Sequence, residues 1–224
     1  MSRAPRVDIA DLTYHVINRA NGRQTIFDSS DDYRHFEKLL KDAIEKYDMR
    51  LIAYVLMPNH WHLILHPKAD GDISRFMQWL TLTHTQQMHV KRKTIGYGHI
   101  YQGRYKSFLI EKESYLVAAI KYVERNPVRA RLAKVVEGWR WGSGYRRILG
   151  TITEKKLVSD APVALPKNYR SWVNVPDKTD DLADLRVSVN KGRPFGRMGW
   201  VERTVKRFGL ELTTRAPGRP KKGT

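Results

Sequence analysis

Cysteine is absent from this chain, so neither a disulfide framework nor thiolate-bound zinc can hold it together. Also missing is any apolar run approaching the ~20 residues that span a bilayer. The opening Met1-Ser2-Arg3-Ala4-Pro5-Arg6 lacks the apolar stretch of a signal peptide. A cytoplasmic protein with no membrane partner is expected. Acidic residues are scarce beside basic ones: 23 Asp and Glu face 41 Lys and Arg, a net charge of +18. Such a balance attracts polyanions, because neutralising phosphates releases their condensed counterions. It also suits ribosomal proteins, membrane-surface proteins and chaperones of acidic partners, and it is silent on catalysis. What is present is a globular composition: 41% hydrophobic residues in 224, enough for one domain with a core and a smaller appendage.

From about Thr13 to Asn126 the pattern is regular. Tyr14-His15-Val16-Ile17-Asn18 reads as a strand closed by the turn Asn21-Gly22. A helix follows from near Ser30, with Phe36, Leu39, Leu40, Ala43, Ile44 and Tyr47 at helical spacing and Asp31 and Asp32 at its positive end. Leu51 to Met57 and His60 to His66 read as two strands joined at Pro58-Asn59, and a second helix begins near Asp72. Tyr105 to Glu111 suits a fourth strand. A third helix runs from about Glu113 to Arg125 and is expected to stop at Asn126-Pro127, since proline disfavours helix in the residue before it. The order β-α-β-β-α-β plus one helix predicts an α+β fold. Its core is ferredoxin-like, with an antiparallel sheet and helices on a face. Residues 1–150 then form the main domain, 151–185 a linker, and 186–224 a basic accessory segment expected to bind DNA.

His60 and His62 flank Trp61 on a strand, so both imidazoles share one face and Trp61 takes the other. Two such nitrogens can chelate one cation. His66 also shares that face but lies ~13 Å along the strand, too far for the same ion. The same pair equally suits two histidines that merely line a half-buried sheet face. On the third helix, Tyr115, Tyr122 and Asn126 fall on a flank of the apolar stripe formed by Leu116, Ala119, Ile120 and Val123. A tyrosine hydroxyl can attack a phosphodiester and stay attached as phosphotyrosine. Two imidazoles can hold a metal that polarises the phosphate, and an asparagine oxygen can complete its ligands. Taken singly, Asn126 also suits a helix C-cap, and the tyrosines suit a helix–sheet seam.

The combination resembles the REP-associated tyrosine transposases, relatives of the single-tyrosine transposases of the HUH superfamily. The likeness rests on His15-Val16-Ile17-Asn18-Arg19, on Met57-Pro58-Asn59-His60-Trp61-His62, on Gln102-Gly103-Arg104-Tyr105 and on Tyr122 to Ala130 (Tyr-Val-Glu-Arg-Asn-Pro-Val-Arg-Ala). It covers roughly residues 10 to 147. The resemblance implies that His60 and His62 ligate metal with help from Asn126, and that Tyr122 is the nucleophile. Tyr122 is preferred over Tyr115, whose i+4 neighbour is Ala119. It further implies Mg²⁺ or Mn²⁺, single-stranded hairpin DNA from chromosomal palindromic repeats, a covalent 5′-phosphotyrosine intermediate, and action as a monomer or homodimer.

The basic loop from Lys91 to Lys106 interleaves cations with aromatics, a mixture suited to single strands because cations follow phosphates and rings stack on bases. Lys91, Arg92, Lys93, Tyr101, Arg104 and Lys106 are its candidate DNA contacts, with Arg19 and Arg23 added from the first turn. A solvated loop whose tyrosines cover the core fits the same pattern. Near the end, Pro217-Gly218-Arg219-Pro220 resembles the core of an AT-hook, with Arg219 for the minor groove, though a plain basic tail fits as well. Two other readings stay open. In one, the histidines activate water and Tyr122 is structural. In the other, the protein binds nucleic acid without cutting it.

Overall fold

The computed structural model describes residues 6–96, 98–177 and 179–215, with the side chains of 179–181 undescribed. Four strands, β1 (Thr13–Arg19), β2 (Arg50–Met57), β3 (His60–His66) and β4 (Lys106–Ile110), form one antiparallel sheet in the order β2-β3-β1-β4. With α1 (Ser30–Tyr47) after β1 and α2 (Asp72–Arg92) after β3, this is the expected ferredoxin-like core. Ser29 starts α1 through a reciprocal capping box with Asp32, which satisfies backbone donors that have no partner inside the helix.

The sheet is covered on both faces. Tyr14, Val16, Trp61 and Leu63 pack against Phe36, Leu40, Phe76 and Leu80 of α1 and α2. The opposite face, with Ile17, Ile64 and Phe108, receives Leu116, Ala119, Ile120 and Val123 of α3 (Ser114–Glu124). The helices therefore do not all lie on one side, because β1 and β3 alternate apolar residues toward both faces and each needs a cover.

Helicity does not end at Asn126-Pro127 as expected. Arg125 keeps right-handed helical dihedrals (φ −83°, ψ −1°), and a further turn, α4 (Asn126–Arg129), follows directly. Pro127 sits in the first turn of that segment, where a missing N–H breaks no internal hydrogen bond.

The C-terminal half carries α5 (Ser143–Leu149), α6 (Ile152–Lys155), α7 (Tyr169–Asn174), α8 (Thr179–Lys191) and α9 (Met198–Phe208). The stretch 151–185, read from sequence as a linker, is laid against the core. Val173 is buried, Leu185 joins the cluster under α3, and the Arg125 guanidinium donates to the carbonyls of Val173 and Asn174. Both sheet edges are protected. The Leu56 N–H donates to the Trp141 carbonyl beside β2, and Phe195 bridges to β4 through bonds with Leu109 and Glu111. Gly142 lets the chain approach closely at the first of these edges, where a Cβ would lie 3.3 Å from the Tyr54 carbonyl oxygen. Covering edges in this way removes unpaired strand groups that otherwise recruit other chains.

Candidate active site

Alternation along β3 sends Trp61 into the α1–α2 core and leaves His60 and His62 on the α3 face. Their ring centres are 5.2 Å apart with planes at 77°. Two imidazoles that each hold one ion at about 2.1 Å have ring centres roughly 4.5–5.5 Å apart, so the spacing suits a shared cation. In both rings Nδ1 is engaged, His60 with Asn59 Oδ1 at 2.6 Å and His62 with His15 Nε2 at 2.9 Å. Burial, reinforced by Arg19, lowers the His60 pKa to about 4. Burial also holds His62 well below its ordinary range, helped by the neighbouring His15, His60, Arg129 and Arg19. Both imidazoles are therefore neutral near pH 7, the state in which a ring nitrogen can ligate metal. His66 lies elsewhere, bonded to Thr13 Oγ1 at 3.2 Å and near Asp11.

Tyr122 projects from α3 toward His62. Its ring lies 6.1 Å from that of His62 and 6.1 Å from that of His15, both edge-on. The Arg129 guanidinium covers the Tyr122 ring at 4.1 Å and donates to the Tyr122 carbonyl. Arg129 is itself held by Asp177 at 3.2 Å, and Asp177 also lies 3.5 Å from Arg125. Burial raises the Tyr122 pKa, while Arg129 and Arg186 pull it back down. Asn126, half-buried, begins α4 about one turn beyond Tyr122 on a helical path that Arg125 keeps continuous. Tyr115, by contrast, packs edge-on against Phe195 at 5.1 Å, two helical turns from Tyr122.

A cleft of about 320 Å³ opens beside His62, walled by Asn18, Arg19, Arg104, Lys106, Val189 and Asn190. Arg19, Arg104 and Lys106 are exposed, and α8 closes the far wall. The other basic-loop candidates part company with these three. Tyr101 is buried: its hydroxyl accepts from Trp61 Nε1 at 3.1 Å and bonds His84 Nδ1 at 2.8 Å, which holds it against the core. Lys91 pairs with Asp32, and Arg92 with Asp28 and the Thr25 carbonyl. Those two cations tie α2 to the start of α1 on the other side of the sheet, not to the cleft. Lys93 and Arg23 are exposed outside the cleft lining. Arg219 lies outside the described residues.

Sequence reasoning passed over His15, Arg129 and Asp177 as participants. His15 shares a sheet face with Ile17 and Arg19, so strand alternation opposite the histidine pair was the available signal. Asp177 sits in an irregular stretch and gave none.

A sequence model for the family described as "Transposase IS200 like" matches residues 8–126. A Haemophilus influenzae protein provisionally named a REP-associated tyrosine transposase is 24% identical over 131 residues, covering 55% of this chain and 74% of that protein. The solved structure of a REP-associated tyrosine transposase bound to a REP hairpin matches with a TM-score of 0.55 at 19% identity, covering 76% of this chain and 96% of that one. At that identity the likeness establishes the α+β fold.

Proposed function

Because the chain belongs to the IS200-like transposase family, we propose that it cuts and rejoins single-stranded DNA beside REP-type hairpins through a covalent Tyr122–DNA intermediate. The observation that carries this reading is Tyr122 itself, held under the Arg129 guanidinium and edge-on to His62, which lines a cationic cleft. The Tyr122 oxygen attacks the scissile phosphorus and the phosphorus–3′-oxygen bond breaks. The DNA is left with a free 3′-hydroxyl and a 5′-phosphate esterified to Tyr122. The phenol proton leaves to solvent and the departing 3′-oxygen takes one up. Arg129 stabilises the phenolate that must form, and Asp177 fixes Arg129 in place. Arg19, Arg104 and Lys106 hold the flanking phosphates.

The donor set fits a divalent cation. His60 and His62 are neutral, each with Nδ1 engaged elsewhere and Nε2 left over, and Asn126 offers a hard amide oxygen. Among the described residues no third His, Asp or Glu completes a cluster, so water and the DNA phosphate would fill the remaining positions of a Mg²⁺ or Mn²⁺ ion. When bound, such an ion supplies positive charge to the scissile phosphate. The C-terminal segment enters this reading through α8, whose Val189 and Asn190 wall the cleft.

The test is to incubate the protein with Mn²⁺ and end-labelled hairpin oligonucleotides, denature, and look for label migrating with protein. An adduct lost in Tyr122→Phe and kept in Tyr115→Phe is expected. Cleavage without any adduct would assign the histidines to water activation instead. Binding with neither cleavage nor adduct would leave a DNA-binding protein.

A further inference from the structure

The hydrogen bond that His62 makes within the sheet differs in kind from the one His60 makes. Asn59 Oδ1 can only accept, so His60 carries its proton on Nδ1 and leaves Nε2 unprotonated. His62 Nδ1 instead meets a second imidazole, His15 Nε2, at 2.9 Å. Either ring can be the donor. If His62 donates, its Nε2 is a free lone pair and the His15 proton resides on Nδ1. If His15 donates, the His62 proton is forced onto Nε2 and blocks that nitrogen as a ligand.

Among the described residues nothing else bonds the His15 ring. His15 is fully buried, and its ring is wedged between Phe108 at 4.8 Å and Tyr122 at 6.1 Å. Its Nδ1 is sealed from solvent with no hydrogen-bond partner among the described residues. The antiparallel register sets Ile17 opposite His62, which places His15 one same-face position away, diagonal to His62 across β1 and β3. A buried side chain with one bond and one orphaned nitrogen is costly to keep unless the bond it makes matters.

We infer that His15 is a positioning residue for the histidine pair: by accepting from His62 Nδ1 it turns the His62 Nε2 lone pair toward the cleft. The inference rests on His62 being a cation ligand, as proposed above. His15 touches neither DNA nor the cation. It acts only through the orientation and tautomer of His62, in the way outer partners of ligating histidines generally do. Because an imidazole can also donate, the His15–His62 pair has two proton arrangements where His60–Asn59 has one. A cation on His62 Nε2 selects the arrangement with His15 protonated at Nδ1.

The experiment is long-range ¹H–¹⁵N NMR of the histidine rings in the full chain, with and without Mg²⁺, joined to Mn²⁺ affinity measured by electron paramagnetic resonance. With Mg²⁺ bound to the unmodified protein, His62 and His15 should both carry their ring proton on Nδ1. A His15 ring protonated at Nε2 while Mg²⁺ is bound would overturn the inference, and this readout needs no variant to fold. His15→Phe, which keeps a ring but accepts nothing, should weaken Mn²⁺ binding by about 10- to 100-fold. His15→Gln, whose amide oxygen can accept, should recover most of it. Unchanged affinity in a folded His15→Phe would also overturn the inference. Failure of the metal reading itself looks different: His60→Ala and His62→Ala would then leave Mn²⁺ affinity untouched.

Discussion

Arg129 lies over the ring of Tyr122 with its guanidinium carbon 4.1 Å from the ring centre, a cation held against the face of the tyrosine that carries the proposed chemistry. Burial alone pushes the Tyr122 hydroxyl toward its neutral form, and Arg129 opposes that push. Removing the cation therefore raises the tyrosine pKa further and lowers the phenolate fraction at any given pH. Arg129→Ala should slow adduct formation on the order of tenfold, the loss of about 1.4 kcal/mol of transition-state stabilisation. Its rate-versus-pH curve should move toward alkaline pH. Arg129→Lys should recover part of the rate, since it restores charge without the flat stack. Initial rates between pH 7 and pH 10 decide it, and superimposable curves for Arg129→Ala and the unmodified protein would exclude this role.

Glu124, two residues after Tyr122, has a fully buried carboxylate. It accepts from Ser143 Oγ at 2.7 Å, from Arg147 Nε at 3.2 Å and from the Tyr169 hydroxyl. Through these bonds α3 is fastened to α5 and α7. Glu124→Ala strands the half-buried Arg147 charge and two hydroxyls, and should cost about 3–5 kcal/mol of folding stability. Urea denaturation followed by tryptophan fluorescence measures it. A loss below about 1 kcal/mol would show that the fastening is not made.

Acid should destabilise the fold through histidines that stay neutral inside it. Burial lowers the His84 pKa to about 3, with His35 and Arg92 adding to the effect and Asp32 opposing it. Burial aided by Arg129 does the same for His15, also to about 3. The unfolded chain binds these protons near pH 6.5, whereas the folded chain does not. The stability they carry is thus complete above pH 6.5 and drains away as pH falls from 6.5 toward 3. Each such group contributes a slope of about 1.4 kcal/mol per pH unit within the window. His84→Gln should flatten the dependence of unfolding free energy on pH by one proton. An unchanged slope would mean that His84 is not a buried neutral group.

The sheet, its first helices and the placing of Tyr122 were readable because each rests on local periodicity. Alternation alone sends Trp61 to the core and His62 to the cleft, and helical spacing alone puts Tyr122 on a flank of α3. The cations resisted the same reading because their partners are remote. Lys91 is neutralised by Asp32, 59 residues away in the chain, and Arg92 by Asp28, 64 away. Tyr101 looks like its aromatic neighbours until Trp61 and His84 close on its hydroxyl. His15 and His62 meet across 47 residues, and Arg129 and Asp177 across 48. Charge density in the loop was legible, but which charges face the cleft depends on strand pairing and helix packing.

That division of the basic residues can be measured through salt. Arg19, Arg104 and Lys106 are exposed along the cleft, whereas Lys91 and Arg92 close ion pairs on the opposite layer. Each cation that neutralises a phosphate of a single strand adds about 0.7 to the slope of log K against log salt. Replacing Arg19, Arg104 and Lys106 together with alanine should therefore reduce that slope by about 2 and weaken hairpin binding most at low salt. Replacing Lys91 and Arg92 should leave the slope as it was and instead lower the melting temperature, because Asp28 and Asp32 lose their partners at the start of α1. Fluorescence anisotropy on a labelled hairpin between 50 and 300 mM salt separates the two sets. Equal loss of slope in both variants would place the DNA on the α1–α2 layer as well, and a loss confined to the Lys91 and Arg92 variant would move it there entirely.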